Sequence, residues 1–265
     1  FGNDKLKIGH LKFFADGGMG ARTAYMIEPY LDAGHGMPLT SIDILEMALG
    51  KANRNDLAVM IHGIGDRTNR ELIKLLEEVH SFTGRDEDAI PHRIEHLQMV
   101  RSEDIQRLAE MKHVVACVQP HNLVLDINMV EQSVGEKGKH VYAFRDMLDA
   151  GVQVIFSSDC PVCSPSPIVG IHAAVTRQRP DGTPREGWYP EQKVSVEEAV
   201  YAYTQAPATA GGMGDHLGSI TPGKFADIVV LDQDIFSIPP QQILNTNVVM
   251  TLFDGKIVYS DSGSE

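Results

Sequence analysis

Four short, largely apolar runs in this chain end on, or carry, side chains able to bind a metal ion. Ala58-Val59-Met60-Ile61-His62 and Arg93-Ile94-Glu95-His96 close on imidazoles, and the run from Val152 closes on the carboxylate of Asp159. The run His10-Leu11-Lys12-Phe13-Phe14-Ala15-Asp16 carries an amine and a carboxylate. Imidazole and carboxylate suit zinc or a similar divalent ion, which keeps a coordination place for water when the protein leaves one open. Singly, each residue has an ordinary explanation. A histidine at a strand end commonly completes a core hydrogen bond, an aspartate there caps a helix or forms a turn, and a lysine lays its stem along apolar surface. It is their succession at four strand ends that points to a shared site.

To share a site, these residues need one rim, and a parallel α/β architecture provides it. The apolar runs predict strands at Leu11–Ala15, Leu57–His62, Arg93–His96, Val114–Val118 and Val152–Ser157. Between the second and third, Leu72, Leu75, Leu76 and Val79 repeat at helical spacing. Thr40-Ser41-Ile42-Asp43 reads as a helix start, and Ser195-Val196-Glu197-Glu198 as a capping box before Ala199–Tyr203. Strands alternating with helices predict right-handed βαβ units, whose carboxyl strand ends form the rim where active sites sit.

Near residue 215 the pattern changes. The segment from Gly218 to Lys224 is rich in turn formers, and Asp254-Gly255 between Val248–Phe253 and Lys256–Tyr259 predicts a hairpin beside Asp227–Leu231. The closing Ser-Asp-Ser-Gly-Ser-Glu reads as a frayed tail. About five βα strands fall in the first part, against the eight of a closed barrel. Strand counting alone therefore leaves an open sheet and part of a barrel both standing.

Composition narrows the partners. The 265 residues are 43% hydrophobic and 22% charged, enough for a sizeable core, with a net charge of −13. No clustered basic face offers itself to a phosphate backbone, so no nucleic-acid partner is expected. No run approaches the roughly 18 apolar residues of a membrane span. The chain opens Phe1-Gly2-Asn3, with neither an initiator methionine nor a signal peptide. Cys117, Cys160 and Cys163 make no disulfide framework, which favours a reduced, cytoplasmic setting.

Five strings in order, Lys12-Phe13-Phe14-Ala15-Asp16-Gly17, His62-Gly63-Ile64-Gly65-Asp66-Arg67, Arg93-Ile94-Glu95-His96, Gln119-Pro120 and Ser157-Ser158-Asp159-Cys160-Pro161, resemble amidohydrolase family 3. This is the branch of the amidohydrolase superfamily that contains N-substituted formamide deformylase-like enzymes. The segment Gly218–Leu231 looks like the return of such chains to their small β-sandwich. The resemblance implies a partial (β/α)8 TIM-type barrel over residues 1–215, about five C-terminal βα units, then a β-sandwich segment over 216–260. It further implies hydrolysis of an amide, formamide or cyclic amide, a small-molecule substrate, and one or two divalent ions, zinc first among them. Carried over by position, Lys12 is the lysine that bridges two metals once carboxylated, and His62 and His96 are imidazole ligands. Asp159 is the aspartate that binds metal and shuttles the proton. Asp16, Asp66, Arg93 and Glu95 fall where ligands are oriented, and Gln119 and His121 on the substrate side. For Asp66, Arg93, Glu95, Gln119 and His121, a salt bridge or a cap is at least as good an explanation.

One departure stands out. The family's first barrel strand supplies a His-x-His pair, and no such pair occurs here. The expectation is a fragment of a longer enzyme, inactive by itself, whose open sheet edges favour a homo-oligomer or a complex with the missing half. A non-catalytic interaction protein built on a half-barrel is the alternative, and an ester or phosphoester hydrolase on the same barrel a third. Cys160-Pro161-Val162-Cys163 has redox-pair spacing but lacks the second pair of a structural zinc site. Gly17-Gly18-Met19-Gly20 lacks dinucleotide-binding spacing.

Overall fold

The apolar runs form parallel strands, and alternation along them decides which residues face the rim. A computed structural model describes residues 2–3, 6–83 and 89–261; the last four residues of the expected tail lie outside them. The chain divides into two compact units, residues 1–119 with 125–155, and residues 120–124 with 156–265.

In the first unit a two-residue ladder, β1 (Gly2–Asn3) with β2 (Leu6–Lys7), precedes the main elements. These are β3 (His10–Phe14), α1 (Ile42–Asn53), β4 (Ala58–Gly63), α2 (Asp66–Thr83), β5 (His92–His96), α3 (Ser102–Ala109) and β6 (Val114–Val118). Then come α4 (Pro120–Val134), whose residues 120–124 belong to the second unit, α5 (Phe144–Ala150) and β7 (Val154–Phe156), whose last residue does too. The sheet runs in the order β3-β4-β5-β6-β7, with parallel register from β3 to β6.

Phe14 pairs with His62, His62 with Glu95, and Glu95 with Cys117. Because side chains alternate along a strand, Lys12, Phe14, His62, Glu95 and Cys117 share one face. Val59, Ile61, Ile94 and Ala116 lie on the other and are buried. Helices α1 and α2 pack on β4, and Leu72, Leu75, Leu76 and Val79 are buried as their spacing requires. Each buried leucine contributes about 1.5–3 kcal/mol of transfer free energy.

Two local expectations change. Ser41 holds the N-cap position of α1 without a side-chain cap bond. The strand expected from Val152 begins at Val154, because Gly151 ends α5 in a left-handed conformation and the Val152 N–H turns back to the Met147 carbonyl, 3.0 Å away.

The second unit holds α6 (Pro167–Thr176), α7 (Val196–Tyr203), α8 (Gln205–Ala210) and a separate antiparallel sheet. The capping box of α7 is complete, with the Ser195 N–H donating to Glu198 (2.8 Å) and the Glu198 N–H to Ser195 Oγ (3.1 Å). Strands β8 (Ile228–Leu231), β9 (Val248–Phe253) and β10 (Lys256–Ser260) lie in the order β10-β9-β8. At the hairpin Asp254 and Gly255 both take positive φ, as a two-residue turn between twisted strands demands. Among the described residues no helix is long and apolar enough to cross a membrane.

Candidate functional site

Strand alternation by itself would part His62 from His96, since His96 is in register with Gly63, one position beyond His62. The backbone corrects this. His96 and Leu97 take φ values of 72° and 39°, a left-handed excursion uncommon for residues with a Cβ. The two imidazoles meet edge to face with ring centroids 4.5 Å apart. Phe14 lies 5.3 Å from the His62 ring, and Lys12 Nζ stands 5.1 Å above the Phe14 ring. Contacts thus link Lys12 to Phe14, Phe14 to His62 and His62 to His96 across adjacent strands.

Each ring is held by a neighbour. His62 Nε2 lies 3.1 Å from the Gly17 carbonyl and 3.7 Å from Asp16 Oδ1. His96 Nδ1 lies 2.8 Å from Gln119 Oε1, and Gln119 Nε2 donates to the Cys117 carbonyl at 3.1 Å. A network that the sequence did not announce secures the turn after His96. The Tyr142 N–H donates to the Gln98 carbonyl (2.8 Å), while Gln98 Nε2 and the Tyr142 hydroxyl both donate to Asp126, at 3.0 and 2.6 Å. Burial nevertheless pushes the Asp126 carboxyl up, against both bonds.

The neighbouring carboxylates are engaged in holding the chain. Asp16 is fully buried and accepts the N–H groups of Tyr25 (2.9 Å), Ile64 (3.0 Å) and Gly65 (2.9 Å). Burial pushes its carboxyl up, and these bonds oppose the shift. Asp66, at the start of α2, accepts from Ile27 N–H (2.8 Å) and from Arg101 (2.6 Å), which fixes the loop after β3. Glu95 accepts from Arg93 Nε at 2.7 Å. Burial works to raise the Glu95 carboxyl, but Arg93 outweighs it, with help from Cys117 and Lys12, and holds it below the usual carboxylate range. Cys117, which strand alternation places on this face, lies 3.4 Å from an Arg93 nitrogen. Its position on an inward-facing β6 residue is the signal that marks it.

In the second unit, Asp159 is exposed and takes a φ of 53°, and its carbonyl accepts the Val162 N–H at 2.8 Å. His121 is half-buried, with burial pushing its imidazole down. Cys163, buried, donates its thiol to Asn122 Oδ1 at 2.6 Å, while Cys160 is exposed.

The donor chemistry of the rim fits a divalent ion in part. Two adjoining imidazoles are the nitrogen donors such an ion could take. Among the described residues, however, no cluster of three or more His, Cys, Asp or Glu side chains could hold a metal ion by itself.

The comparison that decides the family is a match to the amidohydrolase family model over residues 1–259. The chain belongs to the amidohydrolase family. This amidohydrolase chain is 31% identical over 258 residues to Protein LONG AFTER FAR-RED 3 of Arabidopsis thaliana, a match covering 96% of this chain and 43% of the relative. It is 31% identical over 217 residues to the N-substituted formamide deformylase of Arthrobacter pascens, covering 81% of this chain and 39% of that enzyme. Among solved structures, a metal-dependent hydrolase from Pyrococcus horikoshii superposes with a TM-score of 0.77 at 30% identity, covering 91% of this chain and 47% of that one. The amidohydrolase chain thus spans less than half the length of the curated relatives it matches.

Proposed function

We propose that this chain carries part of the catalytic centre of a metal-dependent hydrolase that cleaves a C–N bond in a small-molecule amide, formamide or cyclic amide. The observation that carries the reading is the meeting of His62 and His96 at the ends of adjacent parallel strands, in a backbone conformation that serves to bring the rings together. In this reading the five-stranded sheet is part of a (β/α)8 barrel over residues 1–215, and β8 to β10 belong to a β-sandwich segment over 216–260. His62, His96, Lys12 and Asp159 are the metal ligands, with zinc as the ion. When bound, zinc would supply Lewis-acid chemistry, activating a water and polarising a carbonyl. Asp159 would accept the proton of the attacking water and return it to the leaving nitrogen, and His121 would face the substrate. Asp16 and Asp66 shape the rim, and Arg93 and Glu95 fix its charge.

The sequence contains no His-x-His pair, so the chain by itself turns over substrate slowly or not at all. The exposed apolar side chains of Leu11 and Phe14 on β3, and of Ile44 and Met47 on α1, support a homo-oligomer, and three free cysteines support a reduced, cytoplasmic setting. The test is to assay a polypeptide that carries this chain together with a His-x-His strand. Zinc-loaded, it should hydrolyse an N-substituted formamide in preference to the isosteric ester. Equal or faster cleavage of the ester would move the assignment to another hydrolase class, and no turnover of either would remove it.

A further inference from the structure

Gln119 sits between two groups that together determine which way its amide points. The residue is buried, at 2% exposure, and stands in extended backbone (φ −120°, ψ 93°) immediately before Pro120, the first residue of α4. A residue before proline is confined to extended backbone, so the start of the helix restricts where this side chain can lie. A carboxamide has a donating end and an accepting end. The Cys117 carbonyl, 3.1 Å from Nε2, can only accept, so the amino end belongs there. Reversing the amide would set two acceptor oxygens against each other in a buried place. The accepting end, Oε1, therefore faces His96 Nδ1 at 2.8 Å. An acceptor at that distance requires a proton on Nδ1.

We infer that Gln119 is a positioning residue that locks His96 into the Nδ1–H tautomer, leaving the lone pair on Nε2. The consequence for function rests on the reading of His96 as a metal ligand, but the tautomer does not. A ligating histidine commonly gives its second ring N–H to an acceptor, which fixes both tautomer and ring plane. Here a neutral amide fills that place. Its orientation is set by a β6 carbonyl two residues upstream, which transmits the geometry of β6 to the ring on β5. A carboxylate at the same position would accept from His96 but could donate nothing to the Cys117 carbonyl.

The experiment is long-range proton–nitrogen NMR on the metal-free chain labelled with ¹⁵N-histidine, at a pH where the imidazoles are neutral. The His96 signal is identified by its loss in His96→Gln. The expected pattern is a protonated-type nitrogen at Nδ1 and a lone-pair-type nitrogen at Nε2. Gln119→Glu should keep it, and Gln119→Leu should move it toward the averaged pattern of free imidazole. A proton on Nε2 in the wild-type chain overturns the inference, as does an unchanged Nδ1–H pattern in Gln119→Leu. Should Gln119→Leu fail to fold, the wild-type pattern and Gln119→Glu still decide. Cobalt titration of a polypeptide that also carries a His-x-His strand, followed by absorption, then separates this inference from the functional reading. With His96 as ligand, Gln119→Leu weakens cobalt binding there about 10- to 100-fold. An Nδ1–H pattern together with cobalt binding that His96→Gln leaves unchanged keeps the tautomer lock standing and removes the metal-ligand role.

Discussion

His62 and His96 occupy positions one residue out of register on neighbouring parallel strands, yet their rings meet edge to face at 4.5 Å. The left-handed backbone of His96 and Leu97 makes up the missing residue. If this contact marks the catalytic rim, His62→Ala, His96→Ala and Asp159→Ala should each lower amide hydrolysis more than about 100-fold in a polypeptide that also carries a His-x-His strand. Cys163→Ala should leave turnover within about twofold, because its thiol is engaged with Asn122. Steady-state kinetics on the four variants checks this, and an equal loss for Cys163→Ala would bring a redox role back.

Asp16 organises the loop after β3 through three backbone N–H bonds made at no exposure to solvent. Asp16→Ala leaves those donors buried and unmet, which should destabilise the fold by about 3–5 kcal/mol. Asp16→Asn, keeping one acceptor oxygen, should lose less. Urea unfolding gives both values, and hydrogen exchange should show the Tyr25, Ile64 and Gly65 amides losing protection first.

Gly65 is the point where α2's approach meets that loop. A Cβ on it would fall inside the van der Waals radius of the Tyr25 carbonyl, a backbone atom with no room to yield. Gly65→Ala should therefore destabilise by about 2–4 kcal/mol, whereas Gly182→Ala, where a Cβ meets nothing, should suffer only its positive φ. Thermal unfolding of the pair separates clash from backbone strain.

The Glu95–Arg93 pair should give the stability a pH dependence. The carboxyl of Glu95 is held below its ordinary value of 4.5 in the folded chain, so the unfolded chain binds its proton more readily. That stabilisation is present above about pH 4.5 and is lost as the pH falls through the lower folded value. Glu95→Gln should destabilise the chain at neutral pH, and the gap to wild type should narrow as the pH falls below about 4.5. A gap independent of pH would show that packing, not charge, holds Glu95 there.

Much of this was legible in the residues, for physical reasons that differ from element to element. Val114–Val118 reads as a strand and is one, because an apolar run buried on both faces has few alternatives. The Ser195–Glu198 box likewise follows from local hydrogen bonding alone. Ser41 shows the limit, since a capping residue type does not guarantee a capping bond. The pairing of His62 with His96 was expected from strand ends, but its means was not. Strict alternation puts His96 on the other face, and although histidine tolerates positive φ better than most residues, its presence at a strand end does not announce a left-handed turn. The Gln98–Asp126–Tyr142 network was hidden because its members come from three distant segments.

The most direct check of the central claim is X-ray absorption at the zinc edge on a zinc-loaded polypeptide that carries this chain together with a His-x-His strand. Imidazole nitrogens at about 2.0–2.1 Å from zinc should be visible. His62→Ala and His96→Ala should each remove one of them. A spectrum without histidine scattering, or one unchanged in both variants, would contradict the claim that these two rings hold the ion.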